Sequence, residues 1–281
     1  MPDGFAALPP APPPPLAASP GLLASPALRA ALRRGLVLLF LALLWEGYGR
    51  FVGNELLFPT LGQTLAALWR CILSGELPDR AAASLGVLAL GYGAGLAVAA
   101  LLVGFAVASD FGSELLTTLT AMFNPLPAIA LLPLALLWFG LGTPSLVFVI
   151  GHSVLWAAAL NAHSGVRAIS PTLRRVGENL GLSGIRLAVF ILAPAALPAI
   201  LAGLKIGWAF AWRTLIAAEL VFGASSRSGG LGWFVFEHRN NLEIPEVFAG
   251  LLTVIAIGLL VEGLLFHALE SRTVRRWGLQ R

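Results

Sequence analysis

An all-α integral membrane protein with six transmembrane helices is predicted by three features of this chain. Hydrophobic residues make up 58% of its 281 residues, charged residues only 11%, and the mean hydropathy is +0.86. Soluble domains carry about 25% charged residues. The apolar residues fall in long runs without two-residue alternation, which predicts helices rather than a barrel. Because a span needs roughly 20 apolar residues, the length leaves room for about six spans with short connections. The net charge of +4 does not point to nucleic acid, since the basic residues flank the apolar runs instead of forming one patch. Cys71 is the only cysteine, so neither a disulfide framework nor a thiolate metal cluster is expected.

Residues 1–27, rich in proline and alanine and including Pro12 to Pro15, are expected to be a disordered or polyproline-like cytoplasmic tail. Their many prolines and lack of basic residues leave no cleavable signal to expect. Residues 28–281 form the six-helix domain. Arg29, Arg33 and Arg34 precede the first span, whose core is Gly35–Trp45. Pro59-Thr60 starts an amphipathic segment, Leu61–Leu73, too short to cross and suited to the outer surface. Ser84–Ala108 is the second span, with Gly91 and Gly95 at the four-residue spacing of closely packed membrane helices. Asp110–Ser113 is expected to be a tight turn.

The third span, Leu115–Gly140, is interrupted by Asn124, Pro125, Pro127 and Pro133. Each proline removes a backbone donor and crowds the carbonyl one turn back. Freed polar groups at membrane depth are tolerated inside protein or beside a water-filled cavity, so this break either lines a pathway or is a simple kink. Pro144–Ala162 is the fourth span and carries His152, a packing residue or a ligand. Ala199–Phe222, the fifth, contains Lys205, Arg213 and Glu219. Lys205 can snorkel to the inner boundary. Arg213 lies deeper, and a charge there faces a bundle interior, a partner or a substrate. Six residues separate Arg213 from Glu219, which turns them about 120° apart and prevents direct pairing. Gly223–Glu246 is the outer loop, where Gly229, Gly230 and Gly232 form a flexible turn before Trp233, Phe234 and Phe236, aromatics suited to the boundary. Val247–Leu265 is the sixth span. Basic residues are concentrated in the segments this topology places inside, which puts both termini in the cytoplasm.

Between the fourth and fifth spans lies a long stretch that is neither span nor short turn. Arg167, Arg174, Arg175 and Arg186 sit in it, with Glu178 the only acid in its first half. Ser170-Pro171 opens a helix, a hydroxyl residue before proline at the first helical position. Gly181 and Gly184 break that helix, and Pro194 and Pro198 end the apolar run Leu187–Leu197. A polar helix with two arms is thus presented beside the membrane, with no core of its own to pack on. It is built for a partner.

Enzyme chemistry finds no footing. Lys205 is the only lysine and follows no glycine-rich phosphate loop, so ATP hydrolysis by that route is excluded. There is no paired-histidine zinc motif, no nucleophile elbow and no dinucleotide fingerprint. No catalytic residue, metal site or cofactor is expected.

The stretch Arg175-Val176-Gly177, then Gly181, then Ile191-Leu192-Ala193-Pro194 resembles the cytoplasmic signature loop of permease subunits in binding-protein-dependent ABC importers. That pattern is Glu-Ala-Ala, three residues, Gly, nine residues, then Ile-x-Leu-Pro. The glycine, its spacing to the isoleucine and the final proline agree. Leu57-Phe58-Pro59-Thr60, Asn124-Pro125-Leu126-Pro127, Trp138-Phe139-Gly140-Leu141-Gly142, Gly203-Leu204-Lys205-Ile206-Gly207, Ala218-Glu219 and Gly230-Leu231-Gly232 resemble the branch importing nitrate, alkanesulfonates, taurine and bicarbonate.

The resemblance implies a type I importer permease fold in a bacterial inner membrane, pairing with a second permease copy around one pathway. It implies two cytoplasmic ATP-binding subunits, which bind the ATP, and a periplasmic binding protein that delivers a small anion. A coupling loop, residues 164–194, would meet the ATPases through Arg174, Arg175, Val176, Gly177, Glu178, Gly181, Ile191 and Pro194. The substrate pathway would use Asn124, Pro125, Pro127, His152, Arg213 and Glu219. A stand-alone secondary carrier or channel is the alternative, although such carriers often show inverted repeats and mid-membrane carboxylates.

Overall fold

The computed structural model describes residues 26–222 and 229–273. Within them the chain is helical throughout, with no strand. The expected tail lies almost wholly outside the described residues, as do Arg227, Arg275, Arg276 and Arg281.

Helix α1 (Pro26–Val52) carries its apolar run Leu36–Leu44 largely exposed. It is held at its far end by aromatic packing. Trp45 donates its indole N–H to the Pro59 carbonyl at 3.0 Å, and Trp45, Tyr48, Phe58 and Phe248 form one ring cluster. Helix α2 (Leu61–Leu73) begins at the expected place because Thr60 and Gln63 form a reciprocal capping box. Its buried residues Thr64, Ala67 and Cys71 recur at helical spacing on one face. Arg70 fastens that helix to Glu246 at 2.8 Å.

The centre of the molecule is a three-helix packing of α3 (Glu76–Ala108), α6 (Thr143–Arg167) and α9 (Ala193–Phe222). Small residues set its closeness. A Cβ on Gly91 would lie 2.7 Å from the Ile150 side chain, and one on Gly95 would lie 2.6 Å from the Gly151 carbonyl oxygen. Gly91→Ala is therefore expected to cost about 1–3 kcal/mol by overpacking, read as earlier heat inactivation of the purified protein. Gly86 has open space around it and should accept alanine without that loss.

Asp110–Ser113 is not a tight turn. The reversal is made by Ser109 alone, extended at φ −151° and ψ 145°, and Asp110 already starts α4 (Asp110–Phe123). Ser109 caps α4 by accepting the Gly112 N–H at 3.0 Å. Asn124 to Pro127 then break the chain. A 3₁₀ turn (Ala128–Leu131) leads into α5 (Leu132–Phe139), which is bent 87° from α4. Pro133 does not interrupt α5 but sits in its first turn, where its missing N–H has no intrahelical partner to lose.

Helix α7 (Pro171–Asn179) follows a short turn, capped by Ser170, which accepts from the Leu173 N–H. It ends in a Schellman motif: Gly181 stands at φ +76°, its N–H bonds to the Glu178 carbonyl, and the Leu182 N–H reaches the Gly177 carbonyl at 3.1 Å. The expectation that Pro194 and Pro198 end the following apolar run is overturned. From Gly184 the chain is one helix: α8 (Gly184–Leu187), a π-helical turn (Ala188–Leu192) and α9. The π turn widens the backbone just ahead of Pro194, where a regular ladder would require a donor that proline lacks. Helix α10 (Leu231–Asn240) lies within the predicted outer loop. Helix α11 (Ile244–Leu260) continues through a second π turn (Val261–Phe266) into α12 (His267–Arg272).

Four of these helical stretches among the described residues are long and apolar enough to cross a membrane: Glu76–Ala108, Thr143–Arg167, Gly184–Val221 and Ile244–Arg272. The bent pair α4 and α5 is apolar and long enough only when the two helices are taken together.

Candidate functional site

The break after α4 opens a cavity of about 380 Å³ between α4, α6 and α9. Asn124, Pro125 and Pro127 form one wall, His152 and Ser153 another, and Arg213 and Thr214 the third. The prolines place it here. With Pro125 and Pro127 in the chain, α4 cannot continue and ends at Phe123. Five residues picked from sequence for a pathway thus line one space.

Arg213 is exposed on α9, and among the described residues it forms no ion pair. Its Nε donates to the Ala209 carbonyl one turn back at 3.0 Å, and its guanidinium stands 5.2 Å from the Phe210 ring centroid. Most of its donor capacity therefore remains for a group that enters the cavity. His152 lies edge-on to Phe123 and Trp156, whose rings stack with centroids 5.3 Å apart. The ring nitrogens of His152 and the Trp156 indole N–H find no hydrogen-bond partner among the described residues. The aromatic side of this cavity was not picked out from sequence. The spacing of His152 and Trp156, one helical turn apart, could have signalled it.

Glu219, grouped with the pathway from sequence, is placed elsewhere. It is 5% exposed and lies at the junction of α3, α9 and α10. Ser84 donates its hydroxyl to the Glu219 carboxylate, Gly232 donates its N–H to Oε2 at 2.8 Å, and Leu231 donates its N–H to the Ser84 Oγ at 2.8 Å. Gly230 is buried against this group, where a Cβ would lie 2.1 Å from the Ser84 Oγ and 2.2 Å from Glu219 Oε1. Gly230 and Gly232 thus serve close packing and are not a flexible turn. Phe234, expected at the boundary, is fully buried, whereas Trp233 and Phe236 stack on each other. Lys205 pairs with Glu262 of the second π turn at 3.2 Å.

The elbow between α6 and α9 has its own small core. Val166, Leu187, Leu192 and Ala196 are buried together, with Leu182 and Ile191 packed against them. Gly177 brings α7 onto this cluster; a Cβ there would lie 2.5 Å from Leu187 Cδ1 and 3.1 Å from Ile191 Cγ1. The expectation that this helix has nothing of its own to pack on is corrected accordingly. Arg174, Arg175, Val176 and Glu178 face outward, with Leu180 at 71% and Ile185 at 83% exposure. Pro194 lies inside the continuous helix.

Long apolar helices, a proline-broken helix pair and a cavity bearing an exposed arginine are features of a polytopic membrane protein. The chain belongs to the family described as the binding-protein-dependent transport system inner membrane component, which matches residues 80–276. It is 35% identical over 179 residues to the taurine transport system permease protein TauC of Escherichia coli, covering 62% of this chain and 63% of TauC. The putative aliphatic sulfonates transport permease protein SsuC of Escherichia coli is 29% identical over 206 residues, covering 73% of this chain and 77% of SsuC. The nitrate import permease protein NrtB of Synechocystis is 32% identical over 181 residues, covering 64% of each chain. The match to TauC and to NrtB spans less than two thirds of those proteins.

Proposed function

We propose that this chain is the pathway-forming subunit of an ATP-driven importer of a small oxyanion, powered by separate ATPase subunits and supplied by a binding protein. The observation that carries this reading is Arg213, an exposed cation without an acidic partner among the described residues, in a cavity made by a broken helix. A charge in a membrane helix faces a bundle interior, a water-filled cavity or a binding partner. The names of the related proteins, taurine, aliphatic sulfonates and nitrate, all describe cargo with an anionic oxygen group. On this reading the spans are α1, α3, the bent pair α4 and α5, α6, α8 through α9, and α11 through α12, six in all, with both termini in the cytoplasm.

One face of α9 supports a second copy across the pathway. Ala202, Ile206, Ala209, Phe210, Arg213 and Val221 are exposed in a stripe at helical spacing, while the rest of that helix is packed against α6 and α10. The elbow supports the ATPase contact, since Leu180 and Ile185 project apolar surface beside Arg174 and Arg175.

The test is uptake of radiolabelled taurine, methanesulfonate and nitrate into proteoliposomes that hold the chain with its co-purified ATPase. Uptake of one of them that needs ATP and the binding protein supports the reading. Uptake by the chain alone, without nucleotide, would make it a secondary carrier or channel.

Gly181 supplies a second check. Space is open around it, since nothing lies within 4 Å of where a Cβ would stand, but its left-handed backbone disfavours a side chain by about 1–2 kcal/mol. Gly181→Val should distort the end of α7 without unfolding the spans. ATP hydrolysis is expected to continue while uptake per ATP falls severalfold; normal uptake would remove α7 from the coupling path.

A further inference from the structure

A second cavity, about 310 Å³, lies on the other side of the α4 break and shares Asn124 and Pro125 with the first. The two are strung along one face of α6. His152 and Trp156 open on the first, whereas Leu160, His163 and Arg167 open on the second. From His152 to Arg167 the helix rises about 22 Å.

The chemistry of the second cavity parallels the first. It holds one cation, Arg167, which is exposed and forms no ion pair among the described residues; no acidic side chain lines the space. Thr120 lines it too. This residue is 5% exposed, and its hydroxyl has no hydrogen-bond partner among the described residues. A buried hydroxyl without a partner is uncommon and calls for a ligand or a solvent contact to satisfy it. The neighbouring polar groups are already engaged: the Thr117 hydroxyl donates to the Ser113 carbonyl at 2.8 Å, and His163 Nε2 meets the Ser113 hydroxyl at 3.1 Å. Arg167, Thr120, the Ser164 hydroxyl and the Asn124 amide remain to meet a guest, facing an apolar wall of Leu116 and Leu160.

We infer that this cavity is a second oxyanion station, with Arg167 as its cation and Thr120 as a hydroxyl donor. Cargo released from Arg213 passes the Asn124-Pro125 break and rests here before leaving by the elbow end of α6. The inference rests on the pathway reading given above. It adds that the route has two cationic stops in series rather than one. Two weaker sites in line allow entry and release, where one tight site would hold its guest.

The test uses the assembled complex in proteoliposomes. Cys71 is 7% exposed and burial pushes its thiol up, so it is first replaced by alanine. A reporter cysteine is then placed in the second cavity as Ala121→Cys, or as Leu160→Cys should the first fail to fold, and in the first cavity as Thr214→Cys. Each is treated with an anionic and a cationic methanethiosulfonate reagent of similar size, with rates normalised to a free small thiol. The expected result is about a tenfold preference of the second-cavity cysteine for the anionic reagent, the low end of what a cleft of one sign produces. Arg167→Gln should bring that ratio close to one, and Thr120→Val should weaken the protection given by methanesulfonate. An unreactive or unselective second-cavity cysteine beside an anion-selective Thr214→Cys would overturn the second station alone. A preference that survives Arg167→Gln would do the same. If neither cavity selects anions, the pathway reading falls with it.

Discussion

Glu219→Leu is expected to destabilise the protein by about 2–6 kcal/mol, because it strips two buried donors of their acceptor at once. The Ser84 hydroxyl and the Gly232 N–H both point at this carboxylate, and no water-facing route is available to a group that is 5% exposed. The loss falls where three helices meet, so α10 should detach from α3 and α9 before the spans themselves separate. Graded heating of the detergent-solubilised complex, followed by size exclusion, would show the midpoint several degrees lower. Glu219→Gln keeps an acceptor oxygen and a similar volume and should lose much less. If instead the leucine variant keeps its thermal midpoint and loses uptake, Glu219 belongs to the transport route and its assignment as a structural tie is wrong.

Arg213→Ala is expected to behave in the opposite way. The guanidinium bonds only to a carbonyl of its own helix and sits over Phe210, so its removal leaves the packing intact and the thermal midpoint unchanged. Hydrogen bonds to charged groups contribute about 1.5–3 kcal/mol, and losing that from an anion in transit should reduce uptake roughly tenfold to a hundredfold. Arg213→Lys retains the charge but not the planar fork, and should recover part of the rate. Normal uptake by the alanine variant would exclude Arg213 from the route. Measuring both properties on both variants separates a residue that holds the fold from one that meets cargo.

Local chemistry in this chain was legible wherever a signal was carried by neighbours in sequence. Thr60 with Gln63, Ser170 with Pro171, and Gly181 each fix backbone hydrogen bonds within a turn or two, and each lies where its residue type predicts. The prolines at 125 and 127 announced the break and, through it, the first cavity. Long-range pairing was not legible. That Glu219 would meet Ser84, 135 positions away, depends on how α3 and α9 cross, which no local pattern encodes. The same applies to Gly230, whose glycine reads as a flexible turn until its buried neighbours are seen. Pro194 and Pro198 misled for a different reason: proline ends a regular α-helix, but a π turn ahead of Pro194 removes the conflict there, and Pro198 is carried inside α9. Trp156 and Thr120 went unnoticed because an indole or a hydroxyl within an apolar run looks like ordinary packing until its polar atom is found without a partner.

The uninterrupted helix from Gly184 to Phe222 has a mechanical consequence. At 1.5 Å per residue it is a rod about 58 Å long, secured near one tip by the Glu219 tie and bearing the elbow at the other, with Arg213 only about 9 Å from the tie. On the proposed reading, a beam tied at that tip would pivot about it. Swinging the elbow by several ångströms would shift the arginine by only about a sixth as much. Large strokes at the handle would then become fine adjustments beside the cargo.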